Sequence, residues 1–412
     1  MQYRLRRLPA RFIALLRADA SGVRAGFVAL VVSSITGLVA GVILANNTDT
    51  LERRPGLLLL VPAAVGMRGN VFGALSSRLG TAVHMGTFRI SKRLDTDVGQ
   101  NLGASVLLSV SLSLILGVAA KGFAVVFGVA NAISLSDFIV VSVVGGLIPI
   151  VVVMAITIGV SALSARRGWD LDNVAAPIVT AAADSITLPS LILATVLIGR
   201  SWVTPMLAIA STVVGVAALL GGLRARRYPL LQRIVQESTP VLVLSGLISL
   251  LAGKVEQAGL EPLLKYEILL LLLPPLLSIS GSLAGIFSCR LGSKLHLGMV
   301  DPRRRSLSAI LDDILFVYLL ALSIFMLLGA TTAVVGMQFQ FEGLSVIVVV
   351  AISLLAGLLA TTFTNVVAYF TAFATYRYSL DPDNFGIPIT AAFSDFLGAV
   401  SFVLVITLFQ LS

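Results

Sequence analysis

The chain has 412 residues, of which 57% are hydrophobic and only 12% are charged. Soluble domains carry roughly 25% charged residues, so this composition predicts a protein that crosses the membrane many times. The net charge of +9 does not indicate nucleic-acid binding, because the basic residues punctuate apolar runs and form no separate basic domain. One cysteine, Cys289, excludes both a disulfide framework and a thiolate metal cluster.

The first part of the chain reads as an interfacial segment followed by five membrane spans. Six arginines between Met1 and Arg24 place the N-terminus in the cytoplasm by the positive-inside rule. Residues 8–20 are expected to lie along the membrane interface as a short amphipathic helix. The spans are predicted at about residues 23–45, 56–86, 102–128, 138–163 and 174–198.

The second predicted span contains residues that are unusual inside a membrane helix. Pro62, Gly66, Gly69, Arg68 and Asn70 stand within one apolar segment. They imply a helix that is either broken or closely packed, since irregular backbone at that depth is tolerated only beside protein or a wet cavity. Arg68 would either pair with an acid or repel monovalent cations.

After a sixth apolar run at residues 202–222 the pattern restarts. Further spans are predicted at about residues 228–253, 268–298, 314–336, 344–372 and 386–409, which gives eleven in all. We therefore predict an all-α polytopic membrane protein with a first repeat at residues 1–200, a linker helix at 201–227 and a second repeat at 228–412. Asp312 and Asp313 are expected to cap the ninth span.

Two segments of the first repeat recur in the second. Asp170–Asp184 aligns without a gap on Asp381–Asp395, and the segment that begins at Pro62 recurs from Pro274. Because one linker span separates two sets of five, both copies should run in the same direction, related by a pseudo-twofold axis along the membrane normal. Most Lys and Arg residues then fall on cytoplasmic segments, and the C-terminus lies outside.

Each repeated segment ends with an aspartate deep in an apolar run. Asp184 and Asp395 lie about ten residues into their spans, roughly 15 Å along the helix and near the middle of the hydrocarbon core. A carboxylate at that depth costs about 2.5 kcal/mol or more. Two at matching depths suggest a shared cation, with the alternative that each aspartate is protonated or bonded within its own bundle.

These motifs resemble the integral-membrane domain of MgtE-type magnesium transporters, and their tandem duplication is closer to the solute carrier family 41 branch. The resemblance rests on Pro62-(x)3-Gly66-(x)2-Gly69-Asn70, on Ser77–Thr81 and on Asp172–Asp184, and it covers nearly the whole chain. It implies two five-helix modules that enclose a Mg²⁺ pore. It also implies that the aspartate seven residues after the motif proline, Asp184 or Asp395, binds the ion.

The resemblance also implies which other residues support the pore, and the two copies differ there. Ser278 and Ser282 replace Gly66 and Asn70, and the residue before the proline is Ala176 or Ile387. The resemblance implies no counterpart, within these 412 residues, of the cytoplasmic domains that close the pore in bacterial members, so a different control is expected. The implied pore-lining set is Gly66, Gly69, Asn70, Ala176, Pro177, Ser278, Gly281, Ser282, Ile387 and Pro388.

Magnesium prefers octahedral oxygen ligands and sheds water reluctantly, so two facing carboxylates suit a hydrated ion. Four further acids at the starts of the fifth and eleventh spans either concentrate cations at the inner mouth or simply cap those helices. These acids are Asp170, Asp172, Asp381 and Asp383.

Three functions remain open from the sequence. The first is potential-driven, channel-like transport of Mg²⁺, with Mn²⁺ or Co²⁺ as further substrates, across the plasma membrane. The second is Mg²⁺ exchange coupled to Na⁺ or H⁺. The third is an intramembrane enzyme, for which the sequence offers no plausible catalytic constellation. Because both pore halves belong to one chain in the lipid bilayer, a monomeric pseudo-dimer is expected to suffice.

Overall fold

The computed structural model describes residues 20–86, 88–89, 91, 93–167, 171–300, 307–341, 344–380 and 382–410. The described residues form helices joined by short loops, and none of them lies in a β-strand. The predicted interfacial helix at residues 8–20 lies almost wholly outside the described residues. The helices of the first half are α1 (Ala20–Ala45), α2 (Thr48–Arg53), α3 (Leu57–His84), α4 (Asp97–Val126), α5 (Leu135–Arg167) and α6 (Leu171–Ala194).

A linker and a second set follow the first. They are α7 (Val203–Leu223), α8 (Pro229–Ala258), α9 (Leu260–Lys265), α10 (Glu267–His296), α11 (Leu307–Gln338), α12 (Val346–Tyr378) and α13 (Ile387–Leu408). A π-helical turn, Pro382–Gly386, leads into α13.

Eleven of the described helices are long and apolar enough to cross a membrane. They occur in the predicted order, so the all-α polytopic architecture and the number of spans are confirmed. Only α2 and α9 are too short to span, with six residues each. The largest errors in the predicted boundaries are the start of α11, which is Leu307 and not about residue 314, and the end of α12, which is Tyr378 and not about residue 372. Helix α8 also continues to Ala258, although the sequence suggested an end near residue 253.

Helix α3 is continuous, so the second span is closely packed and not broken. It runs from Leu57 to His84 with Pro62 inside it. A proline at this position removes one intrahelical hydrogen bond, so tertiary packing has to hold α3 together there. Buried leucines on both sides of Pro62 hold α3 in the centre of the molecule, namely Leu57, Leu58, Leu59, Leu60, Leu75 and Leu79.

The two repeats exchange their first helices. Helix α1 packs on α10 of the second repeat, and its counterpart α8 packs on α3 of the first repeat. The crossings are equivalent: a methyl group on Gly41 would meet the carbonyl oxygen of Leu271, and one on Gly253 would meet the carbonyl oxygen of Leu59. These four positions are related by the repeat, which makes the crossings a pseudo-symmetric pair.

The same contacts give the direction of the repeats. Gly41 lies against Leu271 and Gly37 lies against Pro275, so α1 and α10 run antiparallel. Helix α1 is also antiparallel to α3, because only a short connection joins these two successive spans. Helices α3 and α10 are therefore parallel, as the linker span predicted. That linker, α7, packs mainly on α4 and α5, with Gly215 against Leu114.

The predicted capping role of Asp313 is wrong. Helix α11 begins at Leu307, and Asp313 lies inside it with no solvent exposure. Its carboxylate pairs with Arg290 at 3.0 Å and with Lys294 at 2.6 Å. The two basic side chains come from α10, so the aspartate ties two helices together. In the first repeat the equivalent contact is neutral, since Arg78 donates to Asn101 at 2.8 Å.

Candidate metal centre between the repeats

Asp184 lies in α6 of the first repeat and faces the second repeat. Its Oδ2 accepts a hydrogen bond from Ser278 Oγ of α10 at 3.0 Å. Its Oδ1 is 3.8 Å from the point where a Cβ on Gly69 would stand. The side chain is partly accessible. Asp184 therefore has a hydroxyl donor from the opposite repeat and a glycine of α3 beside it.

Asp395 occupies the corresponding place in the second repeat. It lies in α13, and its Oδ2 accepts a hydrogen bond from Ser249 Oγ of α8 at 3.0 Å. The same oxygen is 3.0 Å from the point where a Cβ on Gly66 would stand. Gly66 and Ser278 are equivalent positions, so each aspartate meets the same position of the opposite repeat. A side chain at Gly66 would require the Asp395 carboxylate to move slightly, whereas the serine at the equivalent position 278 donates to Asp184.

Both carboxylates approach the same stretch of α3, Asp395 at Gly66 and Asp184 at Gly69, three residues further along the helix. Within the part of the chain that the structure describes, no group of three or more His, Cys, Asp or Glu side chains gathers to hold a metal ion. The site therefore offers few direct protein ligands, which suits an ion that keeps much of its water.

Two polar contacts repeat beside the aspartates. Asn70 Nδ2 donates to Ser245 Oγ at 3.3 Å, and Ser33 Oγ lies 3.2 Å from Ser282 Oγ. The two contacts are related by the repeat and join α3 to α8 and α1 to α10. Ser245 also donates to the carbonyl oxygen of Pro388 at 3.0 Å. These oxygens and amides are groups that could contact the water shell of an ion.

A small cavity extends from this site along α3. Its volume is about 10 Å³, which is roughly the space that one water molecule needs. Both repeats contribute to it, and across it the Arg78 guanidinium approaches Asn384 Oδ1 at 3.5 Å. The lining residues are Asn70, Val71, Ala74, Arg78, Leu108, Ser238, Leu242, Asn384 and Pro388.

The remaining predicted residues fall into two groups. A Cβ on Gly281 would lie 3.9 Å from the hydroxyl oxygen of Ser394. Ile387 is 41% exposed. The other predictions fall on residues, or on side chains, outside the described part of the chain, and for them the pore-lining and inner-mouth roles stay predictions. These are Asp170, Asp172, Ala176, Pro177, Asp381 and Asp383.

A family model described as a divalent cation transporter, MgtE, matches residues 61–194 and 273–405. The chain belongs to the MgtE family. The two matched regions are the two copies of the repeat, each ending beyond its aspartate. This MgtE-family chain is a divalent cation transporter and not an enzyme.

Curated relatives match most of this MgtE-family chain at low identity and are themselves longer than the matched region. Solute carrier family 41 member 2 of Xenopus laevis is 27% identical over 88% of this chain and 68% of its own length. Solute carrier family 41 member 2 of Gallus gallus is 26% identical, over 88% of this chain and 66% of its own length. Solute carrier family 41 member 3 of Rattus norvegicus is 24% identical over 83% of this chain and 77% of its own length. No solved structure matches the chain.

Arg68 does not pair with an acid in the described part of this MgtE-family chain. It is fully buried, and it donates to Ala64 O at 2.7 Å, to Ser142 O at 3.1 Å and to Ser113 Oγ at 3.2 Å. Its Nε has no hydrogen-bond partner. Gly146 provides the room, because a methyl group there would overlap the guanidinium. Arg68 thus joins three helices of the first repeat, and the prediction that it repels monovalent cations stays open.

Sequence reasoning missed two residues of α8. Ser249 supplies the hydrogen bond to Asp395, but serines are common in membrane helices and give no distinguishing signal. Glu256 is only 2% exposed, and it lies in α8 beyond residue 253, where the span is predicted to end. A search for acids within a few residues of each span boundary would have found it.

Proposed function

We propose that the protein carries Mg²⁺ across the membrane through a pore between the two repeats, with Asp184 and Asp395 as the ion-binding carboxylates. The observation that supports this is the approach of both side chains to one face of α3, from opposite repeats, each with one serine donor. Two carboxylates balance the charge of one divalent ion. Unpaired carboxylates in a membrane interior are costly, so an ion between them removes much of that cost.

The sparse ligand set favours a hydrated ion. Mg²⁺ holds its water tightly and usually keeps several water molecules in protein sites. The aspartates then act mainly through charge, while Asn70, Ser282 and the Pro388 carbonyl contact the water shell. The acids at the starts of α6 and α13 would concentrate cations at the cytoplasmic mouth. Mn²⁺ and Co²⁺, which also accept oxygen ligands, are proposed as further substrates.

We infer that transport is channel-like and driven by the membrane potential. The potential supplies about 2.3 kcal/mol per charge per 100 mV, hence about twice that for a divalent ion. The proposed location is the plasma membrane, with the N-terminus in the cytoplasm and the C-terminus outside. One chain contains both pore halves, so the monomer is the proposed functional unit. Its proposed parts are a first repeat at residues 1–200, a linker helix at 201–227 and a second repeat at 228–412.

Flux into liposomes tests the mechanism. Purified protein is reconstituted, an inside-negative potential is imposed without any Na⁺ or pH gradient, and Mg²⁺ entry is followed with an internal indicator. Channel-like transport predicts entry that rises with the potential. Entry that appears only after a Na⁺ or H⁺ gradient is supplied would replace the channel mechanism by coupled exchange. Repeating the assay with Mn²⁺ and Co²⁺ gives the selectivity.

A further inference from the structure

Arg68 is a buried cation to which the proposed transport mechanism gives no role. The groups that accept its hydrogen bonds are all neutral, namely the carbonyl oxygens of Ala64 and Ser142 and the hydroxyl of Ser113. Its Nε has no acceptor, and no carboxylate among the described residues pairs with the guanidinium. A charge in the membrane interior is costly, and such residues usually serve the transported ion.

The second repeat fills the same place without a charge. Three positions form this place in each repeat, and the equivalent pairs are Arg68 and Ser280, Ser113 and Phe325, and Gly146 and Gly357. A methyl group on Gly357 would overlap the Phe325 ring, just as one on Gly146 would overlap the guanidinium. Ser280 and Phe325 have no solvent exposure. An uncharged ring therefore occupies the space that the guanidinium occupies in the first repeat.

One hydrogen bond marks these positions as equivalent. Ser142 donates to the carbonyl oxygen of Ser113 at 2.6 Å, and Ser353 donates to the carbonyl oxygen of Phe325 at 2.7 Å. The same contact thus joins the same two helices in both repeats. Since the packing is conserved and only the charge differs, the fold does not require a cation at this place.

Arg68 stands between the two glycines of α3 that the carboxylates approach. Asp395 lies at Gly66, and Asp184 lies at Gly69. The Arg68 side chain leaves α3 on another side, toward α4 and α5, where its acceptors lie. A helix with its side chains is about 10–12 Å thick, so the guanidinium lies on the order of 10 Å from the carboxylates. Its charge therefore acts on an ion between the aspartates through α3 and without contact.

We propose that Arg68 is a fixed positive charge that weakens cation binding at the paired aspartates and so allows the ion to leave. At about 10 Å and an effective dielectric constant of about 20, one charge weakens the binding of a divalent ion on the order of a hundredfold. Conduction requires binding that is strong enough for the ion to enter and weak enough for it to leave. The inference rests on the proposed transport function and adds the residue that sets the affinity of its site.

The test removes the charge and keeps the packing. The double variant Arg68→Ser with Ser113→Phe copies the second repeat and places an uncharged ring in the space of the guanidinium. Arg68→Lys keeps the charge, and Ser113→Ala removes one hydrogen bond of Arg68 while the charge stays. Arg233→Gln, on the exposed surface of α8, is the matched control for the loss of one positive charge.

Two quantities are measured for each variant. Mg²⁺ binding to the purified full chain is measured by titration calorimetry at alkaline pH, which keeps the carboxylates ionised. Potential-driven Mg²⁺ uptake by liposomes is measured in parallel. The double variant should bind Mg²⁺ on the order of a hundredfold more tightly than the parent and should lower the uptake rate at saturating Mg²⁺. Arg68→Lys, Ser113→Ala and Arg233→Gln should stay close to the parent in both assays.

A purely structural role of Arg68 gives a different result. Loss of packing or of hydrogen bonds leaves Mg²⁺ binding unchanged or weakens it, so tighter binding identifies the effect of charge. The proposal is wrong if the double variant binds Mg²⁺ with the parental affinity or more weakly. It is also wrong if the double variant does not fold, because the fold would then require the charge.

The aspartate variants keep this result separate from the transport proposal. If Asp184→Asn and Asp395→Asn leave flux unchanged while the double variant binds Mg²⁺ more tightly, the ion site is misassigned and the role of Arg68 stands. If the aspartate variants abolish binding and flux while the double variant keeps the parental affinity, only the role of Arg68 is rejected.

Discussion

The glycine pair Gly41 and Gly253 should stabilise the contact between the repeats, because each lets a helix backbone approach closely. A Cβ on Gly41 would lie 2.9 Å from the Leu271 carbonyl carbon, and one on Gly253 would lie 2.7 Å from that of Leu59. Carbon atoms approach no closer than about 3.5 Å without repulsion, so the helices would have to separate by at least about 0.6–0.8 Å, and the carbonyl oxygens lie closer still. The obstacle is helix backbone, which cannot turn aside as a flexible side chain would.

Overpacking of this kind costs about 1–3 kcal/mol. Alanine recovers about 0.5–1 kcal/mol relative to glycine in a helix, so we expect a net loss of about 1–2 kcal/mol for Gly41→Ala and for Gly253→Ala. The losses should be similar, since the crossings are equivalent. The assay is the apparent melting temperature of the solubilised protein, followed by size-exclusion chromatography, which should fall by a few degrees.

Gly285→Ala provides the control on α10. A Cβ there meets nothing within 4 Å, so the substitution should be neutral or slightly stabilising. The reasoning is refuted if Gly41→Ala and Gly253→Ala melt at the parent temperature. It is equally refuted if Gly285→Ala is the most harmful of the three, because the helix crossing would then not depend on the glycines.

Three further predictions concern stability and use the same melting assay. Asp313→Asn should lower the free energy of unfolding by about 1–3 kcal/mol, because Arg290 and Lys294 lose a buried counter-charge. Breaking the exposed pair of Arg233 and Glu237 is the control and should change it by less than about 1 kcal/mol. Gly146→Ala should destabilise by about 1–3 kcal/mol because it displaces the Arg68 guanidinium, and a silent result would contradict the described packing. Ser278→Ala should cost about 1 kcal/mol by removing the donor to Asp184, and equal stability of parent and variant would count against that bond.

The sequence was sufficient to predict the span order and the repeat because both depend on local patterns. Apolar runs of membrane length and a constant spacing between motifs predicted eleven helices and parallel copies. The same symmetry predicts one ion site for Asp184 and Asp395; both carboxylates approach one stretch of α3, and the shared site stays a prediction. The exchange of α1 and α8 between the repeats was not foreseen, since it depends on glycine-to-backbone contacts across more than 190 residues of chain.

The errors came from side chains whose role depends on distant partners. Asp313 looked like a helix cap because it stood near a predicted boundary, but its partners lie on the preceding span. Glu256 lies in the turns by which α8 continues beyond the predicted end of the span near residue 253. Both acids stand near a predicted span end, where a local pattern favours exposure to water. Tertiary contacts keep these acids buried, and such contacts leave no signal in a local window.

The central claim is that Asp184 and Asp395 form one shared ion site. Its most direct test is potential-driven Mg²⁺ flux into liposomes containing the parent, Asp184→Asn, Asp395→Asn or the double variant. A shared site predicts that each single change abolishes or strongly reduces flux and that the double change adds little, because effects within one unit are not additive. Flux that persists unchanged in both single variants would show that the ion takes another path.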